Sequence, residues 1–477
     1  VMLAAAFSVT VVADNSDAAV IVDIEKPALP ADLAEGTEIC TVDGIGFTDF
    51  ADAITSATES NKSIVLKTNY NCTIKTIDFI GDLEIDLNRY TLAINLIELT
   101  GNESITIYNG TLLGKLVENF LLATVSAEDN SSITFDDVDY YTAATGAIAY
   151  DNSSITVRNG TVIHAEGFGL GTNAGDPLGY DVKVTVTDSA VYADSDPTKA
   201  GTAILFNVPG LLTITGSTIQ GYYQGVIVRG GNAIITGSTI TNTLGAAVDV
   251  DNYEDKDWID GNGVPTSALV IGNKAESAYQ YPTSVSITDT VVVTDGANAG
   301  QAYTVAINAN SGDGLGVDFA YDDQSSFTNE GKTEVASDIT YDSSDDNISV
   351  GNPVAKIGDR GFATLQAAVA AVPTDGTEAT ITLLDNITLS DGVEIASNKN
   401  IILDMGGKTI DSVSNFTGRM IVNHGTLTIT GNGTIDASDE NKELNGPIDN
   451  YGTLIIENGT FEGNLVSNSA LIWNRSG

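Results

Sequence analysis

The chain has 477 residues, with 64 Asp and Glu against 20 Lys and Arg, a formal net charge of -44 and a pI near 4.1. That balance repels a phosphate backbone, which excludes nucleic acid as a partner and leaves cationic surfaces and divalent metals. No uninterrupted apolar run reaches membrane-spanning length, and the two cysteines lie in neither a CxxC nor a Cys/His metal spacing.

Residues 1–13 are apolar and end on small residues, as in a secretory signal whose basic start is missing, so export is expected. The alternative is an N-terminal strand that pairs with the edge of the fold or with a neighbouring molecule. Residues 14–37 read as a linker. A first module covers 38–309 and opens with helical periodicity, because Phe47, Phe50, Ile54 and Ala57 fall on one face. Thr48 is the expected N-cap. Cys40 and Cys72 either close a loop of about 30 residues with a disulfide worth roughly 3 kcal/mol or remain buried thiols.

From there one phrase recurs: a β-branched strand, then Asn, Gly, Asp or Ser, then a second short strand. It begins at Ser104, Ser132, Ser154, Val184, Leu212, Ile234 and Ser286, and returns at Leu427 and Leu454. Anchored on Ile107, Phe135, Val157, Val186, Ile214 and Ile235, the steps are roughly 21 to 29 residues, a spacing that marks repeat architectures. Apolar and polar residues alternate within each phrase, so strands dominate. Short strands and tight turns stacked coil on coil predict an all-β, right-handed parallel β-helix, a solenoid with Ile, Val and Leu rows inside and Thr, Ser and Asn outside.

The rhythm breaks at an insertion, 249–283, where Ile235 and Ile287 stand about 52 residues apart. Asp249, Asp251, Asp255, Asp257 and Asp260 alternate there before a Gly turn, a pattern suited to Ca²⁺, which takes six to eight oxygens. A solvated acidic loop is the alternative. Tyr253, Trp258, Tyr279 and Tyr281 lie in the same insertion, either as a sugar-binding face or as a small satellite core. Tyr140, Tyr141, Tyr222 and Tyr223 extend such a face if they point the same way.

Residues 310–352 are rich in Asp, Ser and Gly and read as a linker or a terminal coil. The second module, 353–477, opens as the first does: Gly361 to Val369 resembles Gly46 to Ile54, and Leu403 to Ile410 resembles Ile85 to Leu92, at offsets of about 315 to 318. Its short helix, with Phe362, Leu365, Ala368, Val369 and Val372 on one face, has Thr364 as the expected N-cap. Each helix is expected to cap the exposed cross-section of its solenoid. The last residues, Leu471 to Gly477, match the lead-ins at Ile421 and Ile448 and stop before the strand they introduce, so the natural chain is expected to continue.

The pattern Gly361 to Val369, then Ile381 to Asn386, then Leu403 to Ile410, resembles the pectate-lyase-like β-helix modules of bacterial and archaeal adhesin-like surface proteins. The resemblance covers nearly the whole chain after residue 38. It implies an exported, multi-module surface protein that binds glycans or partner cells.

Enzymes of similar fold set a test. Polysaccharide hydrolysis needs a carboxylate pair across a cleft, and lyase chemistry needs calcium carboxylates beside a cationic base. Asp136-Asp137, Asp322-Asp323 and Asp345-Asp346 occur without the companion signatures. His164 and His424 have no nucleophile at a recognisable spacing, and His424 occupies the same coil position as Tyr451 and Arg475. The leading expectation is therefore an adhesin-like stalk with its contact site in the insertion. The alternatives are a polysaccharide lyase or hydrolase, with the acidic cluster and Arg229 lining a groove, and a filament subunit joined through residues 1–13.

Overall fold

The structure is a computed structural model that describes residues 26–115, 123–173, 181–193, 201–244, 266–272, 281–296, 303–308, 316–330, 338–341, 345, 347–438, 443–444, 446–463 and 470–475. The chain is an all-β parallel β-helix, organised as two solenoids with separate hydrophobic cores. Among the described residues no helix is long and apolar enough to cross a membrane.

Three faces run along the first solenoid. Strands such as Ser154–Arg158, Val182–Thr187 and Gly210–Thr215 stack in the first face, and Val162–Ala165, Ala190–Ala193 and Thr218–Gly221 stack in the second. Among the described residues the third face holds ten strands, from Thr76–Ile77 to Ile339–Thr340. The long strands Ser104–Gly114 and Ser132–Thr142 run through the first two faces. Like residues stack on like. Ile107, Phe135, Val157, Val186, Ile214, Ile235 and Ile287 form one continuous inward row, all at most 1% exposed. This is the row on which the repeat was anchored.

The corner after that row explains the rest of the phrase. Asn109, Asp137, Asn159, Asp188, Gly216, Gly237 and Asp289 hold the same position in successive coils, all with φ between 46° and 66°. Only Gly, Asn and Asp adopt this left-handed conformation readily. The hydroxyl residue that follows fastens the corner: Ser189, Ser217, Ser238 and Thr290 donate to the carbonyls two residues back at 2.7 to 2.9 Å. Ser217 and Ser238 also accept a backbone N–H from the coil below, at 3.2 and 3.1 Å.

The segment 310–352 continues the solenoid, since Val317–Tyr321 and Ile348–Gly351 add two further coils to the first face. The second solenoid repeats the three-face plan in four coils and carries an Asn ladder on its third face. Asn423 donates to Asn450 at 2.7 Å, and Asn450 to Asn474 at 2.8 Å.

Each solenoid opens with an antiparallel hairpin and a helix. Cys40–Val42 pairs with Ile45–Phe47 ahead of helix α1, Phe50–Ser60, and Ala355–Ile357 pairs with Arg360–Phe362 ahead of helix α2, Leu365–Ala371. Phe50, Ala53, Ile54 and Ala57 of α1 and Leu365, Ala368 and Val369 of α2 are buried against the solenoid ends, which covers those cross-sections. Asp49, not Thr48, caps α1: its carboxylate accepts from the N–H of Ala51 at 2.8 Å and of Asp52 at 3.2 Å. Thr364 caps α2 through the N–H of Ala367. Lys399 closes the other end of α2 by donating to the carbonyls of Val369 and Ala370 at 2.6 and 2.7 Å.

The second hairpin does not project into solvent. Gly361 N donates to Ser286 Oγ at 3.1 Å, Arg360 Nε to Ser284 Oγ at 3.2 Å, and Ala363 N to Asp318 Oδ1 at 3.2 Å. These acceptors are outward residues of the first face, and the hairpin buries them. The contact is close because position 361 is Gly: a Cβ there would lie 2.8 Å from Pro353 Cβ and 3.1 Å from Ser286 Oγ. The second module is thus seated on the flank of the first.

Candidate functional site

Tyr253, Trp258 and Tyr279, and the acidic series Asp249, Asp251, Asp255, Asp257 and Asp260, lie outside the described residues. Tyr281 is described, and it lines a groove of about 960 Å³ where the two modules meet. Its ring packs over Gly230, where a Cβ would sit 2.9 Å from a ring carbon.

One wall of the groove is the entry end of the first face. Gly210, Gly231, Thr283 and Val317 occupy equivalent positions in successive coils, with Asp181 one coil below. These coils span roughly 20 Å at about 4.8 Å each. The opposite wall is the side of α2 that carries Gln366, Ala367, Ala370 and Ala371, of which Ala370 is exposed and Ala367 and Ala371 also pack against the second core. Between the walls lie Asp318 and Arg360.

These two charges, 42 positions apart in sequence, meet here: Ser284 Oγ accepts from Arg360 Nε, and Asp318 Oδ1 accepts from the Ala363 N–H. The Arg360 guanidinium carbon also lies 4.5 Å from the centroid of the Phe362 ring. Its terminal amino groups have no hydrogen-bond partner among the described residues, and Arg360 lines the groove. Asp318 is 5% exposed, and its Oδ2 has no partner among the described residues. Burial pushes the Asp318 carboxyl up to about 7, against the pull of Arg360 and the Ala363 N–H, and burial brings Arg360 down to about 10.

The other aromatic residues do not make a sugar-binding face. Tyr140, Tyr222 and Tyr223 are fully buried, and Tyr140 donates to Gly146 O at 2.8 Å. Tyr141 is outward but forms a stack with His164 and Tyr192 on successive coils, with centroids 4.8 and 5.0 Å apart and planes 10° apart. Rings in such a stack spend their faces on one another, leaving edges for solvent, whereas a pyranose needs a free face. His164 is therefore a half-buried rung, with burial bringing its pKa down to about 4. His424 stacks on Tyr451 at 4.7 Å, as its shared coil position implies.

Arg229 is fully buried at the end of Gln224–Val228 and does not line the groove. Asp136 and Asp137 are taken up by Arg158 at 2.8 Å and Arg89 at 2.9 Å, while Asp322 accepts from Ser325 and from Asp289 N. These carboxylates fix turns. Cys40 and Cys72 are both buried free thiols, so the pairing considered from sequence is not formed here, and burial pushes Cys40 up to about 12. Among the described residues no three of His, Cys, Asp and Glu are grouped to hold a metal.

Of the residues singled out in the sequence, Tyr281 lies on this groove; Asp318, Arg360 and Ser284 are not among them. One signal was present: Arg360 adjoins the Gly361 motif, in a chain with few basic residues. No family model matches the chain, and a search of curated proteins finds no match.

Proposed function

We propose that this protein is a secreted, adhesin-like surface protein built from pectate-lyase-like β-helix modules, which binds glycans or partner cells and carries no catalytic site. The observation that supports this most is the seating of the second module on the first. Two capped solenoids joined flank to hairpin make a stiff unit, and their junction presents a concave surface with hydroxyl, amide and charged groups around an apolar helix face. Concave sites with a few placed polar groups are the usual form of ligand sites. A non-enzymatic reading agrees with the engagement of the Asp136-Asp137 pair in ion pairs.

The test is a glycan array on the purified chain, with and without calcium, alongside an assay for glycan cleavage. Retention of a defined set of glycans without cleavage is the expected result. Calcium-dependent retention would trace to the Asp249 to Asp260 run. Release of unsaturated or reducing ends would replace this reading with a lyase or hydrolase.

A further inference from the structure

We propose that the junction groove binds one or two residues of a neutral, hydroxyl-rich saccharide, and that this binding holds the two modules together. The inference rests on the glycan-binding reading above and names its site.

Donor and acceptor character decide the ligand class. The terminal amino groups of Arg360 offer hydrogen-bond donors, with Nε fixed by Ser284, and Asp318 offers an unpartnered acceptor, with its other oxygen fixed by the Ala363 N–H. Adjacent sugar hydroxyls supply an acceptor for the first and a donor for the second. A buried carboxyl oxygen without a partner is costly to maintain, and a ligand hydroxyl relieves that cost. An anionic ligand satisfies Arg360 alone and meets Asp181, together with Asp318 once that carboxyl is ionised, in a chain of formal charge -44. The exposed Ala370, flanked by the half-buried Ala367 and Ala371, provides the apolar wall that the C–H side of a pyranose requires, with Tyr281 also on the lining. The groove, at about 960 Å³, falls within the range of small-ligand sites.

Coupling to the joint follows from where the walls come from. Asp318, Ser284 and Thr283 belong to the first module, and Arg360 and α2 to the second. A ligand that touches both binds the seated arrangement and not the separated one, so it stabilises seating by mass action.

The experiment uses the full chain with neutral gluco-, galacto- and manno-oligosaccharides and with uronate oligosaccharides of equal length. Binding is read by calorimetry and by hydrogen exchange. A neutral oligosaccharide is expected to bind, and to protect Thr283 to Val285 and Leu365 to Ala371 together. The substitution Ala367→Trp fills the groove without removing a hydrogen bond of the joint, and is expected to weaken binding at least tenfold with an unchanged circular dichroism spectrum. If that variant misfolds, the paired protection in the unsubstituted chain decides the matter. Neutral glycan binding without protection at the groove, or undiminished in a folded Ala367→Trp variant, overturns this inference and leaves the glycan-binding reading standing. Tighter binding of the uronates overturns it too. Binding of no saccharide at all removes both.

Discussion

The two opening hairpins occupy corresponding places in the repeat, share a Gly-Phe ending and have the same fold, yet one is bare and the other is covered. Ile45, Gly46 and Phe47 correspond to Arg360, Gly361 and Phe362 at an offset of about 315. Ile45 is 64% exposed and Gly46 is exposed, whereas Gly361 is buried on the flank of the first module and Phe362 is buried in the core of the second. The cap itself is therefore a local property of hairpin plus helix. Seating depends on the landing surface, where the outward residues Ser284, Ser286 and Ala320 are small enough for a backbone to approach. Arg360 in place of Ile45 then converts the hairpin's exposed edge into a partner for Ser284 and Asp318.

The largest way to break this contrast is pH. Asp318 rises from an ordinary 3.8 to about 7 when the hairpin covers it. A carboxyl whose pKa is raised on burial favours the buried state while protonated, so seating is strongest in acid and weakens as pH climbs from about 4 to 7. The full effect is at most roughly 4 kcal/mol. Small-angle scattering at pH 5 and pH 8 should find the modules more closely associated at pH 5. Asp318→Asn should flatten that difference, and an unchanged pH response in this variant would remove Asp318 as its source. Next in size, Gly361→Val should cost about 1–3 kcal/mol by driving methyl groups into Pro353 and Ser286. Gly46→Val meets only the flexible Glu38 side chain, so chemical denaturation should find its cost to be smaller. The smallest effect is in the helix caps, where Asp49→Ala and Thr364→Ala should each cost about 1 kcal/mol. Thr364 Oγ1 also lies 3.5 Å from Ser349 Oγ, so thermal unfolding of Thr364→Ala should be accompanied by a slightly looser joint.

Much of this was legible because a β-helix repeats its physics every coil. The row through Ile107 and Phe135, the left-handed corner at Asn109 and Asp137, and the two capping helices all follow from local pattern. Thr48 was misassigned as the cap although the repeat itself carried the answer, since Asp49 aligns with Thr364. Paired tyrosines misled for a different reason. Alternation sends Tyr140 inward and Tyr141 outward, and the outward ring is then claimed by His164 one coil away. The groove was illegible because its two charges come from segments that read separately as an acidic connection and a cap. Nothing local in either segment specifies that one lands on the other.

The corner between the second and third faces varies greatly in length. Tyr222 and Tyr223 alone join Thr218–Gly221 to Gln224–Val228, whereas residues 245–268 join Thr239–Leu244 to Leu269–Ile271. Yet Val226, Ile227 and Val228 still pair in register with Leu269, Val270 and Ile271. Register is set by the stacked rows and is indifferent to what leaves the corner and returns. The same property predicts that a connection of different length between Leu244 and Leu269 leaves the coils above and below in register.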